Sequence, residues 1–375
     1  MAQFKRLLLI TDIPNPYRIP LFNALAFRLQ ERGVKLKVIF GSRKQEDRLW
    51  EVDMVDCLFD FEVLPSRRLN LGFEENTLVT FSGLMKSYNA YDPDKTIVIG
   101  YTVATIKLWW HSLFRSLCYN IWSGSIFHPT VKHSFFRMIQ RKIVIKRSKR
   151  FLVYGTKAKE YLVKLGAKAN DVFIATNTVD IDYFSATPVN NRQNPNRKKI
   201  GVLSYLIMRK GLKELLDVIK VLSKERNDFV IEIVGDGVER EQLEAYVKKL
   251  ELEDVVIFLG FKQKQQIPKF LASCDLFLFQ THFDCWGLVL IEAMAVGIPV
   301  IASKNAAATN DIVQEGETGM ITDFCVVLET VKKINFILDN PDQAQEMGAK
   351  AKAYILENCT LDNSVDGFIK MLFEE

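Results

Sequence analysis

The chain of 375 residues has only four histidines, His111, His128, His133 and His282, and none sits in an H-E-x-x-H pair or beside a cysteine. That excludes the common zinc arrangements, so no protein-bound metal and no cofactor is expected. Its six cysteines, at 57, 118, 274, 285, 325 and 359, include no C-x-x-C pair and read as reduced thiols rather than a disulfide frame. No apolar run reaches the roughly 18 residues of a membrane helix. The nearest, residues 108–127, is broken by His111, Arg115, Asn120 and Ser123. The opening apolar stretch, Leu7 to Ile10, is strand-sized, so no leader peptide is expected and the chain reads as cytoplasmic. No G-x-G-x-x-G follows that strand, which disfavours a nicotinamide dinucleotide enzyme.

Acid is missing from one long stretch. Between Lys95 and Lys159 there is no Asp or Glu but thirteen Lys or Arg, so the rest of the chain carries −8 although the whole carries +5. A basic block of this kind implies an anionic partner, a solvated basic face being the alternative. Trp109, Trp110, Phe114, Trp122, Phe127, Phe135 and Phe136 are interleaved with the charges, which points to an anionic membrane surface rather than nucleic acid.

What is present is the pattern of an α/β protein. A strand at residues 6–11, a helix through Leu21, Leu25 and Leu29, and a strand at 35–40 make a β-α-β opening. Further strands are expected at 96–100, 119–122, 151–154 and 172–175. After the Asn- and Pro-containing stretch 188–199, strands at 200–203, 229–234, 255–259, 275–279, 299–302 and 319–322 alternate with helical patterns. Two helical segments follow Asp323. The length suits two domains: residues 1–187, a linker at 188–199, and 200–357, with a terminal helix at about 358–375 able to pack back on the first domain.

Two stretches carry the chemistry. In Thr281-His282-Phe283-Asp284-Cys285-Trp286-Gly287-Leu288, followed by Glu292 and closed by Gly297 and Pro299, a strand ends, a loop holds an acid and a helix opens. A helix N-terminus at a strand's carboxyl end presents N–H groups and a positive dipole end to a phosphate. Glu292, inside an otherwise apolar helix, needs a polar partner, which a ribose diol would supply. In Ser204-Tyr205-Leu206-Ile207-Met208-Arg209-Lys210-Gly211 two cations stand at a helix start, where they oppose the dipole unless an anion sits there.

The first stretch resembles the donor-site signature of glycosyltransferase family 4, in which an acid, x, F/W and G precede a second acid eight residues after the first. The second is similar to that family's G-R-L-x-x-x-K-G, with Ser204-Tyr205 in place of Gly-Arg. Asn177 to Phe184, Val234-Gly235-Asp236-Gly237, Leu259-Gly260-Phe261 and Glu315 to Gly319 resemble further stretches of the family. Asp180-Ile181-Asp182 is a D-x-D, read as structural.

The resemblance implies two Rossmann-like domains facing across a cleft (the GT-B fold) and retaining transfer from a nucleotide diphosphate sugar without a metal or a protein nucleophile. Lys210 and Asp284 are then the catalytic candidates. Arg209, Lys210, Asp284, Cys285, Trp286, Gly287, Leu288 and Glu292 would bind the donor, with Glu292 on the ribose and Asp284, one methylene shorter than the usual Glu, on the sugar. Asn15, Tyr17 and Arg18, in the loop after the first strand, would face the acceptor. Where many members carry a His after the strand ending near Trp122, this chain has Ser123-Gly124-Ser125, and His128 follows. The implied acceptor is a glycan or lipid-linked molecule of surface-polysaccharide assembly at the inner membrane face. The alternatives are a small soluble glycoside as product or a catalytically silent nucleotide-sugar binder. Lys210 is expected to meet charge rather than core, so that its loss would spare stability.

Overall fold

The computed structural model describes residues 4–42, 52, 54–70, 77–127, 135–189 and 197–374, except for the side chains of 67–70 and 77–79. The chain divides into two compact units, Met1–Asn177 with Leu361–Glu375, and Thr178–Thr360.

The first unit runs β1 (Arg6–Thr11), α1 (Arg18–Gln30), β2 (Lys35–Phe40), β3 (Asp60–Val63), β4 (Ser66–Asn70), β5 (Thr77–Phe81), α2 (Leu84–Tyr91), β6 (Lys95–Ile99), α3 (Val103–Ser112), β7 (Asn120–Ser123), α4 (Phe135–Arg147), β8 (Phe151–Val153), α5 (Thr156–Lys164) and β9 (Val172–Ile174). Seven of these strands form a parallel sheet ordered β3-β2-β1-β6-β7-β8-β9, and β4 and β5 make a separate antiparallel pair. The order reverses beside β1, as in doubly wound sheets, which take ligands beyond the carboxyl ends of their strands. Alternate β1 residues Leu7 and Leu9 join Phe22 and Leu25 of α1 and Trp122 of β7 in one core.

The second unit runs α6 (Ile181–Ser185), β10 (Lys198–Leu203), α7 (Leu212–Glu225), β11 (Phe229–Val234), α8 (Arg240–Lys249), β12 (Val256–Gly260), α9 (Ile267–Ala272), β13 (Leu276–Phe279), α10 (Leu288–Val296), β14 (Val300–Ser303), α11 (Ala307–Ile312), β15 (Met320–Thr322), α12 (Val327–Asp339) and α13 (Pro341–Asn358). Its six strands are parallel, ordered β12-β11-β10-β13-β14-β15. The stripe Leu212, Leu215, Leu216, Ile219 and Leu222 on α7 is buried against this sheet, as its 3.6-residue period requires.

The boundary between the units differs from the one expected at 188–199. Helix α6 buries Ile181 and Phe184, packs on α10 and α13, and its Ser185 carbonyl accepts from Lys352 Nζ at 2.7 Å. That places residues 178–187 with the second unit. Lys198 and Lys199 open β10, while residues 190–196 of the expected linker lie outside the described residues.

After Asp323 there are three helices rather than two, because Pro341 starts a new helix immediately after α12. The third, α14 (Leu361–Phe373), lies on α1, β8 and β9. Phe368 meets Trp122 edge-to-face at 4.8 Å, and Arg28 Nη2 donates to Asp366 at 2.8 Å. The last carbonyls of a helix lack intrahelical donors. Here Lys95 Nζ donates to Leu372 O, and Arg150 Nη1 to Met371 O at 2.6 Å. Both cations also suit the negative end of the helix dipole.

Candidate active site

The second unit gathers its sequence-marked residues at the carboxyl end of β13. Between β10 and α7 the chain makes a single tight turn, Met208–Lys210, and Gly211 adopts φ +65° before the helix begins at Leu212. Three hydrogen bonds of Arg209 tie this turn to the loop after β13. The Arg209 carbonyl accepts from His282 N at 2.9 Å and from Thr281 Oγ1 at 3.1 Å, and Arg209 Nη1 donates to Phe283 O at 3.2 Å. His282 Nε2 lies 3.0 Å from Glu214 Oε2 in the first turn of α7.

Lys210 meets charge, as expected, but inside the fold rather than in water. It is buried, and its Nζ donates to Asp284 Oδ2 at 2.5 Å, with the Phe279 ring 5.9 Å away. The second carboxylate oxygen, Oδ1, accepts from Trp286 N at 3.2 Å. Burial pushes the Asp284 carboxyl up, but the Lys210 ammonium beside it outweighs that and holds it below its ordinary value. The acid is ionised, and its charge is met within the protein.

The loop that carries Asp284 is pinned to the start of α11. Ala307 N donates to Asp284 O at 3.0 Å, Ala308 N to Trp286 O at 3.1 Å, and Asp284 pairs with Ala306 as an isolated parallel bridge. Sequence reasoning did not mark this support, although the run Ala306-Ala307-Ala308 after a strand is its visible trace. Gly287 then turns the chain into α10 at φ +114°, and a Cβ there would stand 2.5 Å from the Phe279 ring. Only glycine fits, on both counts.

The N-terminus of α10 therefore opens at the carboxyl end of β13, where the N–H groups of an uncapped helix can hold an anion. Trp286 is buried, Leu288 half-buried and Cys285 exposed. Glu292 lies fully buried one turn into the helix. Behind the site, Gly235 at φ +137° lets β11's exit lie on the Ser204 loop, where a Cβ would come 1.8 Å from Ser204 O. Leu206 N donates to Asp236 O at 3.0 Å across the same contact.

In the first unit, Asn15 shapes the turn into α1. Its carbonyl accepts from Arg18 N at 2.8 Å and its Oδ1 from Tyr17 N at 2.9 Å. The Arg18 guanidinium lies 3.9 Å over the Trp122 ring and donates to Tyr154 OH. A Cβ at Gly124 would stand 2.1 Å from that tyrosine ring, so the Ser123-Gly124-Ser125 turn is shaped to receive it. His128 lies outside the described residues. The D-x-D is a helix cap: Asp180 Oδ1 accepts from Tyr183 N at 3.3 Å, at the start of α6.

The basic block proves to be of two kinds. Lys95 and Arg150 cap α14. Lys107 donates to Phe81 O, Arg141 to Tyr161 OH and Arg147 to Ser112 O. Arg137, Lys142 and Lys146 are exposed on α4. Lys132 is outside the described residues.

The units have the architecture of known sugar-transferring enzymes, and comparison gives the class. Residues 185–354 match the family described as Glycosyl transferases group 1, and the second unit is a domain of that family. An uncharacterised glycosyltransferase of Haemophilus influenzae is 27% identical over 201 residues, 54% of this chain and 55% of that protein. The lipopolysaccharide 1,6-galactosyltransferase of Salmonella typhimurium is 27% identical over 172 residues, 45% of this chain and 46% of that protein. These matches span about half the length of each relative. Among solved structures, Anabaena HepE in complex with UDP superposes with a TM-score of 0.75 at 19% identity, covering 98% of this chain and 99% of that one. The fold is thus two Rossmann-like α/β domains of the kind found in GT-B glycosyltransferases.

Proposed function

We propose that this chain is a family 4 enzyme that transfers a sugar from a nucleoside diphosphate sugar to a glycan or lipid-linked acceptor, with retention at the anomeric carbon. The observation that carries this reading is the meeting of buried Lys210 with the loop that opens α10. A fixed cation and a helix N-terminus lie at two adjacent strand ends, and together they suit a diphosphate. In a front-face transfer the bond from the anomeric carbon to the diphosphate oxygen breaks while the acceptor oxygen bonds to that carbon on the same face. The acceptor's proton passes to the departing diphosphate. The protein's task is to stabilise the charge that develops there, which preorganised donors do most effectively away from bulk water. Lys210, Arg209 and the N–H groups that open α10 are assigned that task, Glu292 the ribose, and Asn15, Tyr17 and Arg18 the acceptor. Transfer then needs no metal.

The name of the Salmonella relative favours surface-polysaccharide assembly as the setting. Incubating the protein with UDP-, GDP-, ADP- and dTDP-sugars and following release of the nucleoside diphosphate tests the reading. Hydrolysis or transfer with at least one donor supports it, and none with any donor overturns it.

A surface feature favours an anionic membrane as the place of work. Among the described residues no helix is long and apolar enough to cross a bilayer. Yet Trp110, Leu113 and Phe114, at the end of α3 and just after it, are exposed, and so are Phe135, Phe136, Ile139 and Ile143 of α4. Phe136 is 80% and Phe114 72% exposed, and only Val144 and Ile145 of α4 turn inward. Exposed aromatics interleaved with cations suit the headgroup boundary of an acidic bilayer.

A further inference from the structure

The resemblance assigns the first acid of the donor motif to the hydroxyls of the transferred sugar. The geometry points to a different task here: we infer that Asp284 is a positioning residue for Lys210, acting on the diphosphate through that lysine rather than by holding the sugar. This deepens the transferase reading and rests on it.

Both oxygens of Asp284 are engaged within the protein. Oδ2 takes the Lys210 ammonium at 2.5 Å and Oδ1 the Trp286 amide at 3.2 Å, and the side chain is 12% exposed. The backbone is held as well, since Asp284 N donates to Asn305 O at 3.4 Å and its carbonyl accepts from Ala307 N. An acid held on four sides does not swing out to follow a sugar.

Lysine, by contrast, is a point charge on a flexible four-carbon stem. One of its three N–H donors goes to Asp284, and two remain for phosphate oxygens. A tether of this kind sets the ammonium in place before the donor arrives, as electrostatic stabilisation of a leaving group requires. Trp286 completes the unit, because the amide that anchors Asp284 lies one residue before Gly287, which opens α10. The lysine and the helix terminus are thereby set by one side chain.

A double-mutant cycle in the full chain separates this role from a sugar contact. Asp284→Asn keeps the shape and the acceptor for the Trp286 amide but removes the charge. Lys210→Met fills the same space without the ammonium. With kcat measured at saturating donor and thermal melts confirming folded variants, Asp284→Asn is expected to lower kcat at least about tenfold and Lys210→Met at least about a hundredfold. The double variant should match Lys210→Met within about twofold, because an acid that acts only through the lysine has nothing left to act on. Asp284→Glu, which restores the charge, should stay within about threefold of the parent.

Losses that multiply in the double variant would overturn the inference and return Asp284 to the sugar. So would an Asp284→Glu variant as impaired as Asp284→Asn. A parent chain that turns over no nucleoside diphosphate sugar would bring down the transferase reading itself, a result distinct from multiplying losses in an active enzyme.

Discussion

Lys210 and Asp284 stand 74 positions apart in the chain and meet at 2.5 Å, one from the turn after β10 and the other from the loop after β13. β10 and β13 are neighbours in the sheet, so the ion pair bridges two adjacent strand exits. The pair is buried, and that changes what its removal does. Lys210→Ala should lower turnover by at least two orders of magnitude, about 3–4 kcal/mol of barrier. It should also destabilise the fold by roughly 3–5 kcal/mol, because it leaves a buried carboxylate without its cation. Urea unfolding of the variant checks the second effect, and an unchanged midpoint would contradict the burial of the pair.

The same pair sets a pH signature. The Asp284 carboxyl titrates below its ordinary value, with the pull of Lys210 exceeding the push of burial. Its contribution is whole above the ordinary Asp value of about 3.9 and fades as pH falls through the lower folded-state value. The stability gap between the parent and Asp284→Asn should stay constant from about pH 7 to 5 and shrink below about pH 4. Urea midpoints across that range are the measurement, and a gap that widens in acid would reverse the sign.

Glu292 is fully buried on α10 in the unit proposed to hold the nucleotide. Glu292→Gln keeps the shape and loses charge-assisted bonds to a ribose, so donor affinity should fall by roughly 1–3 kcal/mol. Calorimetry with the nucleoside diphosphate alone suffices. Equal affinities would leave the carboxylate a structural role only.

Transfer is expected to survive EDTA, because Lys210 and the opening of α10 are proposed to supply the charge that a divalent ion would otherwise bring. Asp180 of the D-x-D already caps α6 with its carboxylate. Activity abolished by the chelator and restored by Mn²⁺ would overturn the expectation.

The α3–α4 face should bind acidic bilayers reversibly. Each basic residue near an anionic surface contributes on the order of 1 kcal/mol, and the attraction fades within a Debye length. Sedimentation with vesicles should show strong binding to anionic lipid, weak binding to neutral lipid, and release at about 0.5 M salt. Phe135→Ser with Phe136→Ser should weaken binding without altering donor turnover. Equal partitioning to both vesicle types, or none to either, would indicate a soluble acceptor.

Much of this molecule is written locally. Alternating apolar runs and helical stripes place β1, β2 and β11 to the residue, and the other expected strands within two, because period and turn chemistry act over a few neighbours. The donor motif is legible for the same reason: Asp284, Trp286, Gly287 and Glu292 follow one another through a strand end, a turn and a helix. Strand β3 was not anticipated, since Asp60-Phe61-Glu62-Val63 carries charge and gains its place only by pairing with β2.

Residues far apart in sequence were decided by the tertiary structure alone. The motif showed a lysine and an acid, but whether they met each other or a substrate depended on β10 and β13 becoming neighbours. The basic block looked uniform along the chain, yet Lys95 and Arg150 became caps for a helix that starts more than two hundred residues later. The boundary moved from the Asn-rich stretch to Asn177 because α6, short and ordinary in sequence, buries Ile181 and Phe184 against α10 and α13. Composition and period report what a segment prefers. Which charge is neutralised, and by what, is settled only when burial removes water as the alternative partner.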